Sequence, residues 1–221
     1  MKIYGISGLG ADKRVFKFLK LDSELIPIDW IKPLKNESIS NYSKRLSAKI
    51  DQNEKVCLIG VSFGGLVTTE ISKLINPALT ILISSAETKK ELPFIYGVFG
   101  KTNLVKLFPT TLFDPPRWIA NFLFGTEQTE LLNAILKDTD LKFAKWAVHA
   151  LISWKNEESL KNVIKIHGTK DKLIPLKSTK NIKLIKDGEH FMIVDKAQEI
   201  STIINAEIRK RDSSTAKKGS F

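Results

Sequence analysis

The 221-residue chain predicts an α/β fold, a mostly parallel six-stranded sheet flanked by helices. Short β-branched runs alternate with helical patterns along most of its length. The third, fourth and fifth of these runs are nearly continuous in apolar residues, as strands covered on both faces require. A single long interval, dense in aromatic residues, interrupts the alternation at one place only.

The first strand is expected over Lys2–Ser7 (KIYGIS), followed by a helix near 12–20 with Asp12 placed to cap its free amides. Glu24–Trp30 (ELIPIDW) reads as the second strand and 40–50 as the next helix. Lys55–Val61 (KVCLIGV) is the third strand, and a helix over 63–75 returns the chain to Leu79–Ser85 (LTILISS), the fourth. Asn162–His167 (NVIKIH) and Asn181–Asp187 (NIKLIKD) complete the sheet, and a last helix is expected at 195–208. Between the fourth and fifth strands lie 76 residues, 86–161, where a crossover needs only about a dozen. That interval holds 11 of the 19 aromatic residues and helical patterns at Glu127–Lys137 and Leu141–Trp154. It reads as a helical cap inserted into a core made of 1–85 and 162–208. Most of its aromatics are expected to pack its helices together, while a few line an apolar pocket. Residues 209–221 are polar and basic, and are expected to be a disordered tail.

Composition narrows the function. One cysteine, Cys57, cannot form an internal disulfide, so a stapled secreted scaffold is excluded and a reducing, cytoplasmic setting is expected. The opening residues do not read as a signal peptide, and no apolar run approaches the roughly 18 residues of a membrane span. The net charge of +11 raises nucleic acid as a partner. The excess is diffuse apart from the tail, however, and consists of 30 Lys against 5 Arg, whereas planar Arg dominates base and phosphate recognition. No nucleic-acid partner is expected. Residues 86–161 carry ten basic and nine acidic residues, so stable membrane association is not expected either. Three scattered histidines and one cysteine form no ligand set, and neither a metal nor any other cofactor is predicted.

The sharpest local signal is Gly60-Val61-Ser62-Phe63-Gly64, of the form G-x-S-x-G, at the junction of the third strand and the following helix. A tight strand-turn-helix would project the Ser62 hydroxyl above the sheet, with small residues on either side letting backbone approach. Phosphate-loop spacings are absent. A serine hydroxyl is inert without a base, and three histidines compete for that role. His149 falls inside the insertion and reads as a packed or surface residue. His167 ends the fifth strand, precedes the nearest acid and reads as structural. His190 follows the sixth strand. Open parallel sheets build sites at the carboxyl ends of their strands, where Ser62, Asp171 and His190 would all lie. Asp138 and Asp140 are rival acids within the insertion. Cys57 reads as a buried apolar residue, and Glu189 as a neighbour that tunes His190 or faces solvent.

These residues make the chain resemble the α/β-hydrolase fold superfamily over most of its length. The order serine, acid, histidine is met by Ser62, Asp171 and His190. Asp171 lies in a G-x-x-D turn (168–171), and Gly188-Glu189-His190-Phe191-Met192 is similar to the family's histidine loop. Ser7-Gly8-Leu9-Gly10-Ala11-Asp12 resembles its oxyanion loop, with Ser7 in place of the usual histidine, which alters how that loop is anchored. The chain begins on what would be the family's third strand, and the resemblance implies the strand order 2-1-3-4-5-6. It also implies a serine hydrolase that cleaves a small-molecule carboxylic ester or thioester. Ser62 would be nucleophile, His190 base and Asp171 the orienting acid, with the Leu9 and Phe63 backbone N–H groups as oxyanion donors. Trp118, Trp146 and Trp154 of the insertion are candidate substrate contacts. Two alternatives stay open: carbon–carbon cleavage or elimination by the same residues, and a non-catalytic ligand-binding protein on the same scaffold.

Overall fold

A computed structural model describes residues 1–102, 104–177 and 182–216. Six strands, β1 (Lys2–Ile6), β2 (Leu25–Pro27), β3 (Val56–Val61), β4 (Leu79–Ile83), β5 (Val163–Gly168) and β6 (Ile182–Ile185), form one sheet in the order 2-1-3-4-5-6. Every pairing is parallel, where a mostly parallel sheet was expected. β3 and β4 are buried at every position, which explains their unbroken apolar sequences. β2 is three residues long instead of the seven expected. It is an edge strand with a neighbour on one side only, its last bond to β1 running from Ile28 N to Gly5 O at 2.8 Å, and Pro27 turns its N–H-free nitrogen to the open edge. The expected sixth strand begins at Asn181, outside the described residues, and the observed one stops at Ile185.

Helices α1 (Ile39–Ser47) and α2 (Phe63–Ile75) cover one face of the sheet, while α7 (Met192–Asp195) and α8 (Ala197–Ala216) join the opposite layer. The segment expected as a helix near 12–20 is a 3-10 helix, Lys13–Phe18, and the Asp12 side chain accepts from Arg14 N as its cap. The last helix, expected at 195–208, is α8, which starts at Ala197 and is preceded by the short α7 across a break at Lys196. α8 continues through Ala216, so residues 209–216 are helical where a disordered tail was expected, and 217–221 lie outside the described residues. Arg209 pairs with Asp22 at 2.7 Å at the surface, linking this part of the helix to the loop before β2.

The insertion between β4 and β5 contributes α3 (Phe94–Thr102), α4 (Arg117–Phe124), α5 (Thr129–Lys137) and α6 (Leu141–Ile152). Its buried side chains join both hydrophobic layers. Phe143, Ala147, Ala150 and Trp154 pack with Leu66, Val67 and Ile71 of α2, while Ala120, Leu132 and Ile135 pack with the opposite cluster. The insertion is therefore seated on the sheet through shared core.

Candidate active site

β3 ends at Val61, and the chain turns into α2 through Ser62, whose backbone lies at φ 51° and ψ −124°. A non-glycine residue held there costs about 1–3 kcal/mol and persists only when its surroundings over-determine it. Here they do. Ser62 N donates to Ile83 O at 2.9 Å, and Ser62 O accepts from Gly65 N at 2.9 Å and from Ser85 Oγ at 2.7 Å. Glycine is needed at 64 because a Cβ there would lie 2.1 Å from Ser7 O, so only a bare backbone lets α2 start against the 7–12 loop. Ser85, two residues beyond β4, is not among the residues the sequence singles out, although its place just past the carboxyl end of a central strand is a usable signal.

Three loops, after β3, β5 and β6, bring Ser62, Asp171 and His190 together. With a carboxylate at 171, the His190 Nδ1–H donates to Asp171, at 2.8 Å from Oδ2 and 3.0 Å from Oδ1. The Nε2 lone pair then faces the Ser62 hydroxyl at 2.8 Å. Asp171 Oδ1 also accepts from Leu173 N at 3.0 Å and Ile174 N at 2.9 Å. Burial by itself would raise the Asp171 carboxyl. The His190 charge and hydrogen bond, with the Ile174 amide, outweigh it and hold the group below the ordinary carboxylate range. The carboxylate thus stays ionised with no water needed at its oxygens.

The other candidates fall elsewhere. His167 sits behind the acid, its Nε2 2.7 Å from Ile174 O and 3.5 Å from Asp171 Oδ2; burial lowers its pKa, with Asp171 opposing. It bonds to the same turn that holds Asp171. His149 lies on α6, where burial and then Lys106 lower its pKa. Asp138 pairs with Arg14 at 2.9 Å and Asp140 caps α6, so neither lies beside His190. Cys57 is fully buried and its thiol is pushed up to about 12 by burial. Glu189 forms an ion pair with Lys172 at 2.7 Å, joining the loops that carry His190 and Asp171.

The 7–12 loop lies directly against the serine, since a Cβ on Gly8 would be 3.2 Å from Ser62 Cβ. Ser7 Oγ donates to Ala11 O at 2.8 Å, and the Trp30 indole N–H donates to the same oxygen at 3.3 Å. Ala11 N in turn donates to Gly8 O at 3.0 Å. A serine hydroxyl thus anchors the loop. From the insertion, Thr139 Oγ1 reaches Gly10 O at 3.2 Å. Among the described residues, neither the Leu9 nor the Phe63 N–H has a protein acceptor.

The three tryptophans separate. Trp146 belongs to an aromatic cluster with Tyr42 and Phe63, its ring 5.8 Å from Phe63 and edge-on to it. Trp118 is 73% exposed on α4. Trp154 is buried and donates its N–H to Glu70 at 2.8 Å, so it secures the return of the insertion to α2 and is not available as a substrate contact. Phe124, not singled out from sequence, faces His190 edge-on at 5.6 Å, and its carbonyl accepts from Phe191 N at 3.0 Å. Its neighbour Gly125, at φ 54°, lies where any Cβ would collide with the Glu189 carboxylate.

No protein-family model and no curated protein matches the chain. Solved structures do. It is similar to a thermophilic esterase from Thermogutta terrifontis, with a TM-score of 0.67 and 13% identity over 96% of this chain and 90% of that one. It is also similar to the meta-cleavage product hydrolase of Pseudomonas fluorescens IP01 (TM-score 0.69, 14% identity, 95% and 91% covered). A lipase-esterase related protein from Clostridium acetobutylicum matches with a TM-score of 0.65 and 19% identity over 93% of each chain. The chain has the α/β-hydrolase fold.

Proposed function

We propose that this chain is a serine hydrolase that cleaves a carboxylic ester or thioester through an acyl-enzyme on Ser62. The observation that carries the reading is the unbroken chain of hydrogen bonds from Asp171 through both ring nitrogens of His190 to Ser62 Oγ. As Oγ attacks the carbonyl carbon, its proton passes to His190 Nε2. The imidazolium so formed is stabilised by the buried Asp171 carboxylate, which keeps its own charge. The developing oxyanion is met by the Leu9 and Phe63 N–H groups. These donors are held by α2 and by the Ser7-anchored loop, and need no reorganisation as charge appears. Collapse of the tetrahedral species breaks the bond to the alcohol or thiol, which leaves with the proton from His190. Water then attacks the acyl-enzyme with His190 again as base, releasing the acid and restoring Ser62.

The insertion caps the site on this reading, through Phe124 at His190 and Thr139 at Gly10, and Trp146 with Phe63 forms an apolar wall beside the oxyanion donors. The test is intact-mass analysis after exposure to a fluorophosphonate, with p-nitrophenyl butyrate hydrolysis alongside. Wild type is expected to gain one adduct and Ser62→Ala none, with turnover falling by several powers of ten. An adduct on Ser62→Ala, or retained turnover, overturns the assignment. A meta-cleavage product hydrolase is among the similar structures, and product analysis separates carbon–carbon cleavage or elimination from ester cleavage.

A further inference from the structure

The stretch Phe94–Phe124, which carries α3 and α4, turns large apolar groups to solvent. Phe94 is 84% exposed, Leu107 80%, and Leu112 and Phe122 each 63%, in addition to Trp118. Isolated exposed apolar residues are ordinary, whereas five large ones within 31 residues are an unusual concentration. The stretch is fastened to the same end of the sheet as Ser62. Tyr96 OH donates to Leu173 O at 2.9 Å, two residues beyond Asp171, and Lys172 Nζ sits 4.9 Å from the centre of the Phe122 ring.

Its charge has one prevailing sign. The ionisable residues from 94 to 124, tyrosine aside, are Lys101, Lys106, Arg117 and Asp114, and Asp114 is engaged by Arg117 at 3.0 Å. Eight of the nine acidic residues that bring the whole insertion near neutrality lie outside this stretch. Lys145 of α6 adds a further cation, with its Nζ on the carbonyl oxygens of Lys106 at 2.7 Å and Phe108 at 2.6 Å, next to Leu107.

We propose that this stretch docks the protein on a lipid–water interface bearing anionic head groups. Phe94, Leu107 and Trp118 enter the acyl boundary while Lys106 and Lys145 meet the phosphates. The overall charge of +11 acts in the same direction. Charge also selects lipid over a second copy of the chain, because a two-fold dimer through this patch would set its cationic rim against itself. The inference departs from the expectation of no stable membrane association, and the docking it describes is reversible and screened by salt. It does not depend on the proposed reaction.

The test is co-sedimentation and tryptophan fluorescence of the full chain with phosphatidylcholine vesicles, with and without phosphatidylglycerol. Binding and a blue shift are expected with phosphatidylglycerol, both reversed by raised salt. Phe94→Ser combined with Leu107→Ser is expected to weaken binding at least about tenfold. Because both side chains are solvent-exposed, its melting temperature and turnover of soluble p-nitrophenyl acetate should stay at wild-type values. Lys106→Glu is expected to weaken binding to phosphatidylglycerol vesicles. Ser62→Ala should bind as wild type does, which separates docking from catalysis. The proposal is overturned by no binding to phosphatidylglycerol vesicles, by equal binding of the double variant, or by a wild-type dimer in sedimentation velocity that the double variant dissociates.

Discussion

Replacing Asp171 by Asn tests the coupling of the three loops more sharply than removing the serine. The side chain keeps its shape, and its one remaining oxygen can still accept from Leu173 N and Ile174 N, which both bond to Oδ1. The amide NH2 then occupies the Oδ2 position, 2.8 Å from His190 Nδ1. Two donors cannot face one another there, and the remaining oxygen, 3.0 Å from Nδ1, already accepts from two backbone N–H groups, so the imidazole is expected to place its proton on Nε2. That nitrogen lies 2.8 Å from Ser62 Oγ and, once protonated, cannot take the serine proton. Loss of the correct tautomer is expected to lower kcat by about 10³- to 10⁴-fold with KM little changed. The assay is pre-steady-state hydrolysis of p-nitrophenyl butyrate, with the rate of fluorophosphonate labelling as an independent measure of Ser62 nucleophilicity. Both rates should fall together while the fold survives, since the turn keeps its backbone bonds. An Asp171→Asn variant within tenfold of wild type in both would refute the reasoning.

Three further outcomes are expected. Ser62→Gly removes the proposed nucleophile and also the φ 51° strain, so it should be inactive yet melt higher. At about 2–4 °C per kcal/mol for a chain of this size, calorimetry resolves the gain, and a lower melting temperature would deny that the turn is strained. Ser7→Ala removes the 2.8 Å bond to Ala11 O and frees the loop that carries Leu9 N–H. A fall in kcat of about tenfold or more at nearly constant KM is expected from kinetics with a soluble ester, and unchanged kcat would show that Trp30 alone holds the loop. His167 has a pKa below its ordinary 6.5, chiefly through burial, so the unfolded chain binds the extra proton more readily. Its contribution is therefore fully present above pH 6.5 and declines as pH falls from there toward its folded pKa. Urea midpoints measured between about pH 5 and 7.5 should drop less steeply in His167→Gln than in wild type, and parallel curves would remove His167 from the acid response.

Much of the site was legible because its chemistry is local in sequence. The pentapeptide 60–64 sits where an apolar run meets a helical pattern, and that junction alone implies a sharp turn with Ser62 at its apex. Asp171 and His190 stand just after the last two strand-like runs, and a parallel sheet brings all such positions to one end. The resemblance supplied the strand order, which no run of residues encodes. Strand lengths at the edges were misjudged because β2 and β6 have a partner on one side only, so hydropathy there reports burial poorly. The break at Lys196 and the helical extension to Ala216 have no signal in the local pattern, and the contact made by the extension, Arg209 with Asp22, joins residues far apart in the chain.

Sequence by itself determined the alternation of strands and helices, the position of the insertion and the three residues that meet after β3, β5 and β6, since each is written in periodicity and short-range spacing. Only the tertiary structure decided what supports them. Ser85 holds the Ser62 carbonyl, Ser7 and Trp30 share Ala11 O, Thr139 reaches Gly10, and Phe124 faces His190. It also decided that Trp154 turns inward to Glu70 while Trp118 faces solvent. These are contacts between residues up to 129 positions apart. Most are created by the closing of the sheet and the seating of the insertion on it.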